Sequence, residues 1–374
     1  MKVCHVISGY FRNDARVFQR QCKSLHQAGI KVSILTNDGE REEVLDDILI
    51  QSCDKFFSSR LMVLLFAKYQ FYSKALSVDA DIFQCHSPEL ISLGLSLKKK
   101  GKKVIYDAHE DLPRHIIEKE WLEWMPLFLR KLLSIAVEVY LHRALKKYDA
   151  VITPHHHVHE NFLKANINST LITNFPLVRN LEDFSYADYQ SRENRICYTG
   201  TVYSYSHQEE ILEAISDIED VQYKVAGYFD PIHLDSLSDY KGFNKMEFLG
   251  RIPWQNLGDF YRKMSIGIVV YDYKLNLGDR LGSFGSNKLF EYMEAGLPII
   301  CTDYVLWKEV VEKYECGLTV EPRNIDQLRD AISYLLQNKE IAYKYGKNGQ
   351  KAVKEELNWS TQEKKYLGVL NEYR

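Results

Sequence analysis

A loop of small residues that leads into a short helical pattern, at 282–298, carries the side chains best suited to bind an anion. Lys288 supplies a positive charge in the first turn, where the free N–H groups of a helix start also attract negative charge. Glu291 follows at i+3 on the same helix face, so its carboxylate could accept hydrogen bonds from two hydroxyls of a ribose. The spacing predicts a site for a diphosphate and a ribose; a solvated Lys–Glu helix face is the alternative.

A second group of polar side chains follows predicted strands in the first half of the chain. His109 stands between the acidic residues of the segment 107–111, and His86 follows the preceding strand. Ligands of parallel sheets bind beyond the carboxyl ends of the strands, so these residues are expected at one edge. A histidine near carboxylates can act as a general base or bind a sugar hydroxyl, whereas a structural loop histidine is the alternative.

Short β-branched runs alternate with longer amphipathic runs along the chain, which is typical of parallel sheets covered by helices. The predicted strands are 2–7, 31–35, 82–84, 103–107, 150–153 and 170–172, then 195–198, 222–226, 246–249, 265–271 and 298–302. In the helix predicted after the loop at 282–287, Ser286 is the expected N-cap. A polar stretch at 180–194 shows neither the alternation of a strand nor the periodicity of a helix, and it therefore indicates a linker. We therefore predict an α/β fold with two Rossmann-like domains, at 1–176 and 195–355, a linker at 177–194 and a final helix within 356–374.

Composition excludes several classes of protein. The longest uninterrupted apolar run, Leu61–Ala67, is far shorter than the about 20 residues that span a bilayer. The net charge of -3 argues against bulk nucleic-acid binding. The 7 cysteines include no CxxC pair, so neither a disulfide framework nor a structural zinc site is indicated. After the first strand, Gly9 stands without the further glycines of a dinucleotide fingerprint, which argues against NAD.

Two apolar segments leave two interpretations open. One contains Trp121, Trp124 and Phe128 and continues into a helical pattern at 129–145 with one apolar face; the other covers 55–72. Each could lie on a membrane surface, which the net positive charge of the first half would favour. Each also has the spacing of a helix packed on the sheet, which is the alternative.

The segment 286–300, SNKLFEYMEAGLPII, resembles the nucleotide-sugar signature of the retaining glycosyltransferases of family four, which have the GT-B fold. Shorter segments agree with the family in order along the chain: 14–18, 106–110, 174–176, 198–200, 248–252 and 358–360. The resemblance implies two Rossmann-like domains with an interdomain cleft and a C-terminal helix that crosses back to the first domain. It also implies a retaining enzyme that needs no metal and no cofactor beyond the nucleotide-sugar co-substrate.

The resemblance implies roles for individual residues. Glu291 would bind the donor ribose and Lys288 the diphosphate, while His109, as the catalytic residue, would contact the transferred sugar. The implied donor-binding residues are Gly9, Gly200, Arg251, Gly285, Ser286, Asn287, Lys288 and Glu291. Tyr10, Arg12 and Glu110 are the predicted acceptor-binding residues, and no metal ligand is predicted.

The predicted function is transfer of a sugar from a nucleotide sugar to a glycan or lipid-linked glycan, in bacterial surface polysaccharide or capsule synthesis. The expected location is the cytoplasm, with peripheral contact to the inner membrane surface. Two positions depart from the family: Ser283 stands where many members have Glu, and Thr201 where many have Arg. These departures keep a non-catalytic, nucleotide-sugar-binding partner of another transferase as one alternative, and a nucleotide-sugar epimerase, which can use the same two-domain fold, is the other.

Overall fold

The computed structural model describes residues 1–53, 60–179 and 183–373. They form two compact units, each built on a parallel sheet: the first contains Met1–Asn174 and Trp359–Arg374, the second Phe175–Asn358. The sheet connectivity is that of two Rossmann-like domains, as predicted.

The sheet of the first unit has eight strands in the order β3-β4-β2-β1-β5-β6-β7-β8. They are β1 Lys2–Val6, β2 Lys31–Thr36, β3 Glu43–Leu45, β4 Ile48–Ser52, β5 Ile82–Cys85, β6 Lys103–Asp107, β7 Ala150–Thr153 and β8 Ser169–Leu171. β3 pairs antiparallel with β4, and the other neighbours pair in parallel. Every residue of β5 and β7 is buried, as expected for strands covered on both faces.

The helices of the first unit cover both faces of this sheet. The first helix is π-helical over Ala15–Cys22 and continues as α1, Lys23–Gln27; the Asp14 carboxylate caps its N-terminus. The others are α2 Arg60–Ser77, α3 Ile91–Lys98, α4 Leu112–Glu118, α5 Leu127–Leu145 and α6 His156–Lys164, with 3-10 turns at Pro88–Leu90 and Glu120–Leu122. One apolar core includes side chains of α2, α3, α5 and α6, and a smaller one includes those of the first helix.

The second unit has six parallel strands in the order β11-β10-β9-β12-β13-β14. They are β9 Arg195–Thr199, β10 Gln222–Ala226, β11 Met246–Phe248, β12 Ile266–Val269, β13 Ile299–Thr302 and β14 Gly317–Val320. The α-helices are α7 Tyr186–Gln190, α8 Gln208–Ser216, α9 Pro231–Ser236, α10 Leu257–Arg262, α11 Lys288–Glu294, α12 Val305–Tyr314, α13 Ile325–Gln337 and α14 Lys339–Glu355. Short 3-10 turns lie at Leu237–Asp239, Lys241–Lys245, Trp254–Asn256, Leu275–Leu277 and Asp279–Leu281.

The last helix, α15 at Trp359–Asn371, belongs to the first unit. The Trp359 indole nitrogen donates a hydrogen bond of 2.8 Å to the Ser24 hydroxyl, and the Tyr366 hydroxyl donates one of 2.8 Å to the Gln84 side chain. These bonds tie the end of the chain to the first helix and to β5.

Some elements differ from the sequence predictions. β3, β4 and β14 were not predicted, because each is only three to five residues long and lacks a clear alternation of apolar and polar residues. The stretch 177–194, predicted as a linker, packs within the second unit: it contains α7, and the Tyr189 hydroxyl donates 2.7 Å to the Ser265 carbonyl. Its anchoring side chains are too widely spaced to produce a periodic pattern, and residues 180–182 lie outside the described part.

Burial along α5 also differs from the helical pattern. Of the apolar face in the helical pattern at 129–145, only Leu141, Ala144 and Leu145 are buried, and most of the first half of α5 is exposed. In the other apolar segment, 55–72, residues 55–59 lie outside the described part of the chain. No helix in the described part has both the length and the apolar character required to cross a bilayer.

Candidate functional site

The carboxyl ends of β9, β10 and β11 meet in a row of glycine turns. The Gly200 amide donates a hydrogen bond of 2.7 Å to the Ala226 carbonyl, and the Gly227 amide donates one of 2.8 Å to the Gly250 carbonyl. A Cβ on Gly227, where φ is +145°, would lie 2.0 Å from the Gly200 carbonyl oxygen, so only glycine fits. Gly227 was not predicted as a site residue, although its place directly after a strand was a usable signal.

Lys288 lies against the first of these turns. A Cβ added to Gly200 would be 2.8 Å from the Lys288 Cε, so the glycine makes room for the lysine. The Lys288 Nζ lies 5.1 Å from the ring centre of Tyr198 and 5.7 Å from that of Tyr271. Burial lowers the pKa of this ammonium, but the Tyr271 hydroxyl and Glu291 offset the effect and raise the pKa above the ordinary lysine value.

The charge of Lys288 has no carboxylate at ion-pair distance among the described residues. Lys288 is partly buried and stands at the start of α11, and the first N–H groups of a helix also attract negative charge. The raised pKa keeps this side chain charged, and no carboxylate of the described residues lies at ion-pair distance, so its position favours binding of an anion.

The loop before α11 is fixed by Ser283. Its hydroxyl accepts a bond of 3.0 Å from the Gly285 amide, and its carbonyl accepts one of 2.9 Å from the Trp307 indole. The helix then begins at Lys288 with Asn287 as the N-cap, so the prediction of Ser286 as N-cap was wrong. Asn287 itself has helical angles, φ -76° and ψ -33°, so the observed and predicted helix starts differ by a single residue.

Glu291 lies on the same short helix and is partly buried. The Tyr261 hydroxyl donates a long bond of 3.4 Å to its carboxylate. At the end of the same helix, the buried Glu294 pairs with the Arg179 guanidinium at 2.7 Å. Burial raises the pKa of Glu294 above the usual value, although Arg179 opposes the shift. Arg179 was missed because it falls in the stretch predicted as a linker.

Two further features of the second unit lie at the ends of its strands. Arg251 is exposed directly after the Gly250 turn that follows β11. A cleft of about 680 Å³ is lined by residues at the starts of β9, β10 and β11, among them Glu193, Gln222 and Met246. It faces the opposite edge of the sheet, so it is not the site predicted from the sequence.

In the first unit, three buried or partly buried histidines form a chain. The His5 Nδ1 lies 2.9 Å from the His86 Nε2, and the His86 Nδ1 lies 3.1 Å from the His109 Nε2. At the inner end, the Tyr366 hydroxyl of α15 lies 3.4 Å from the His5 Nε2. Burial lowers the pKa of His86, and that of His5 further still, so both rings are neutral near pH 7. The chain fixes the orientation of His109.

Asp107, at the end of β6, supports this chain. Its carboxylate pairs with the buried Arg16 guanidinium at 2.8 Å and accepts 2.7 Å from the Gln21 amide. Burial alone would raise the pKa of Asp107, but Arg16 and His109 hold it well below the usual range. Asp107 is therefore a buried anion that lies 3.4 Å from both His86 and His109.

The donor atoms of His86, Asp107 and His109 lie within 4.8 Å of one another, which is close enough to surround a metal ion. The chemistry of the donors does not favour one, because Arg16 already neutralises the carboxylate and would repel a dication. Within the described residues, the histidines at 155–159 have separate partners. His155 bonds to the His109 carbonyl at 2.8 Å, His157 lies 3.3 Å from Asp111, and His159 lies 3.1 Å from the Ser169 hydroxyl.

Of the predicted acceptor-binding residues, Tyr10 lies against His109 and Glu110 follows it in the chain, whereas Arg12 pairs elsewhere. The Tyr10 ring centre is 4.9 Å from that of His109, and Gly9 precedes it with φ +76°. Glu110 is exposed and pairs with His115 at 2.7 Å. Arg12 is committed elsewhere, because its guanidinium binds Asp38 at 2.6 Å, and Glu43 as well.

Two family models match most of the chain between them. The model described as "Glycosyltransferase Family 4" matches residues 15–176, and the one described as "Glycosyl transferases group 1" matches residues 182–352. Among curated proteins, an uncharacterized glycosyltransferase of Methanocaldococcus jannaschii is 24% identical over 181 residues. That match covers 47% of this chain and 44% of the relative, less than half of its length.

Solved structures resemble the whole chain in fold. Sucrose-phosphate synthase from Thermosynechococcus elongatus has a TM-score of 0.78 at 16% identity and covers 99% of this chain and 98% of its own. HepE of Anabaena, solved with UDP and glucose, has a TM-score of 0.74 at 13% identity, with 100% of both chains covered. TarM has a TM-score of 0.71 at 12% identity, covering 99% of this chain and 98% of its own. These structures identify the fold as GT-B.

Proposed function

The chain belongs to the glycosyltransferases of family four, and from this membership we propose that it transfers a sugar from a nucleotide-sugar donor to a glycan or lipid-linked glycan acceptor. The proposal includes retention at the anomeric carbon, independence of metal ions, and a role in bacterial surface polysaccharide or capsule synthesis. The enzyme would act in the cytoplasm, in contact with the inner membrane surface.

The observation that supports donor binding best is Lys288. This partly buried ammonium has no carboxylate partner among the described residues and faces the Gly200 turn. A diphosphate would neutralise it and could also accept hydrogen bonds from the start of α11 and from the loop at Gly285, Ser286 and Asn287. Arg251 would add a further cation near the same strand ends.

Glu291 would bind the ribose of the donor. Its carboxylate has one long bond to Tyr261, so it retains acceptor capacity for two hydroxyl groups. UDP is present in the HepE structure and UDP-2-fluoro glucose in that of an E. coli trehalose-6-phosphate enzyme, which supports a nucleotide-sugar donor for this chain.

His109 would contact the transferred sugar, with its ring held by His86 and Asp107. In the retaining reaction the bond from the anomeric carbon to the phosphate oxygen breaks, and the bond to the acceptor oxygen forms on the same face. The departing phosphate oxygen takes the acceptor proton, so the preorganised cations that stabilise the phosphate supply most of the catalysis. Tyr10, Arg12 and Glu110 would bind the acceptor; for Arg12 this requires exchange of its present partners.

One observation favours a second candidate, a non-catalytic protein that binds a nucleotide sugar. Ser283 is buried and its hydroxyl is used within the loop, so this position offers the donor sugar no carboxylate. Such a protein would bind the nucleotide as tightly as the enzyme does but would not turn it over.

Thermal unfolding with UDP, GDP, dTDP and ADP tests donor binding. A ligand that binds the folded state alone stabilises it by about 2.7 kcal/mol at a concentration of 100 Kd. We expect one nucleotide to raise the melting temperature more than the others. If none of the four did so at millimolar concentration, the donor site would be wrong.

A further inference from the structure

The helix α5 buries only a narrow stripe of its surface. Its buried side chains are Ser134, Leu141, Ala144 and Leu145, which lie on one side of the helix. The 19 residues of α5 span about 28 Å, and Ser134 is the one buried residue in the first half of this length.

Large apolar side chains of α5, most of them in its first half, are exposed. Phe128, Leu132, Ile135 and Val139, spaced by four, three and four residues, form one line, with exposures of 63%, 59%, 57% and 41%. Leu129, Leu133 and Tyr140 form a parallel line beside it and are also exposed. A surface helix of a soluble protein normally has polar residues on its exposed face. Soluble monomers rarely expose a contiguous apolar patch larger than a few hundred Å². We call these seven residues the α5 apolar face.

Two exposed tryptophans precede the α5 apolar face. Trp121 is 63% exposed and Trp124 is 76% exposed. The Lys119 Nζ lies 5.6 Å from the ring of Trp121, so an aromatic ring and a cation are presented together. Tryptophan and lysine are the side chains that anchor proteins at the boundary between lipid headgroups and acyl chains.

The charges along α5 favour an anionic bilayer over a second copy of the chain as the partner of this face. Between 127 and 147 the cations are Arg130, Lys131, Arg143, Lys146 and Lys147, and the sole anion is Glu138. Arg130 is occupied, because it donates 2.8 Å to the Ile117 carbonyl, whereas the other four cations are exposed. Two copies of this face would bring these cations together, whereas an anionic bilayer would neutralise them.

We propose that the α5 apolar face, with Trp121 and Trp124, inserts into the headgroup region of a bilayer rich in anionic phospholipid. The apolar side chains supply the affinity, and the four exposed cations make it dependent on anionic lipid and on salt. This inference deepens the membrane contact of the proposed function and rests on it, because the lipid-linked acceptor proposed there would lie in a membrane.

Cosedimentation of the full chain with vesicles tests the proposal without donor or acceptor. We expect binding to vesicles of phosphatidylcholine with phosphatidylglycerol, weaker binding to phosphatidylcholine alone, and a decrease with added salt. The double variant Leu132→Asp and Ile135→Asp removes two aliphatic side chains from the lipid and should weaken binding at least about 100-fold. Ile232→Asp, at an 82% exposed residue of the second unit, is the matched control and should bind like the wild type.

Three results would overturn the proposal: no binding to anionic vesicles, equal binding by the double variant, or a wild-type dimer that the double variant converts to a monomer. The last would assign the face to a second copy of the chain. Since both substituted residues are exposed, the melting temperature should not fall, and this checks that the variant is folded. Vesicle binding without sugar transfer would contradict only the proposed function, and transfer without vesicle binding only this inference.

Discussion

Replacement of Lys288 by methionine, which keeps the length of the side chain and removes its charge, should separate ligand binding from stability. In the folded protein the ammonium contacts the rings of Tyr198 and Tyr271 but pairs with no carboxylate among the described residues. Cation–π contacts of this kind are worth about 0.5–2 kcal/mol, and the methionine thioether against the same rings recovers part of that loss. The free energy of unfolding should therefore change by less than about 1 kcal/mol.

The effect of Lys288→Met on the affinity for a diphosphate should be much larger than its effect on stability. A hydrogen bond to a charged group contributes about 1.5–3 kcal/mol, so the Kd for the preferred nucleoside diphosphate should rise about 10–150-fold. Isothermal titration calorimetry measures the Kd, and urea unfolding without ligand measures the stability. The affinity difference should shrink as salt is added, since part of it is electrostatic.

Lys245 of the same unit provides the matched control. Its ammonium donates to the carbonyls of Ile215, Ser216 and Ile218 at 2.5–2.9 Å. Lys245→Met should cost stability, about 1–3 kcal/mol for acceptors left without a donor, and leave the Kd unchanged. Wild-type affinity in Lys288→Met, or equal loss of affinity in both variants, would refute the assignment of Lys288 to the diphosphate.

Three further predictions concern the first unit. Asp107→Asn leaves the Arg16 guanidinium buried without its counter-ion and should lower the free energy of unfolding by about 3–5 kcal/mol, whereas Asp38→Asn, at a more exposed pair, should cost about 1 kcal/mol or less. His86→Asn should release the ring of His109 and lower kcat about 10–100-fold with little change in the Kd for nucleotide. Burial lowers the pKa of His155 to about 4, and an unfolded histidine titrates near about 6.5, so the unfolded chain takes up the proton first and stability should fall as the pH drops from about 6.5 to about 4. Urea unfolding over this range should show a slope that His155→Gln reduces by up to about 1.4 kcal/mol per pH unit.

Each of these predictions has an outcome that contradicts it. If Asp107→Asn and Asp38→Asn lowered the free energy of unfolding equally, burial of the Arg16–Asp107 pair would not affect its contribution to stability. An unchanged kcat in His86→Asn would remove the positioning role of His86, and an unchanged pH slope in His155→Gln would show that another group titrates there.

The sequence predicts the fold class well because strand and helix periods are local. The run from Asn287 to Gly296 predicts a loop, a helix and a stop within one residue of the observed helix. It does not predict that Tyr198 and Tyr271 surround Lys288, since those contacts join strands far apart in the chain.

The histidine chain of the first unit was only partly predictable. His86 and His109 follow neighbouring strands, so their meeting at one edge could be inferred. His5 lies within a strand and Tyr366 in the last helix, and the pattern of apolar residues does not reveal which side chains of such elements meet. The exposure of Leu132 on α5 was unpredictable for a related reason: periodicity identifies an apolar face but not whether the fold covers it.

Acceptor-dependent release of nucleoside diphosphate tests the central claim most directly. The enzyme is supplied with a sugar donor of the best-binding nucleotide and with a lipid-linked glycan fraction, and the released diphosphate is measured. We predict release that requires the acceptor and is strongly reduced, at donor concentrations below the Kd of the variants, in Lys288→Met and in Glu291→Gln. Binding without release over a panel of acceptors would instead indicate a nucleotide-sugar-binding partner, and conversion of the donor sugar without any acceptor would indicate an epimerase; either result would contradict the account.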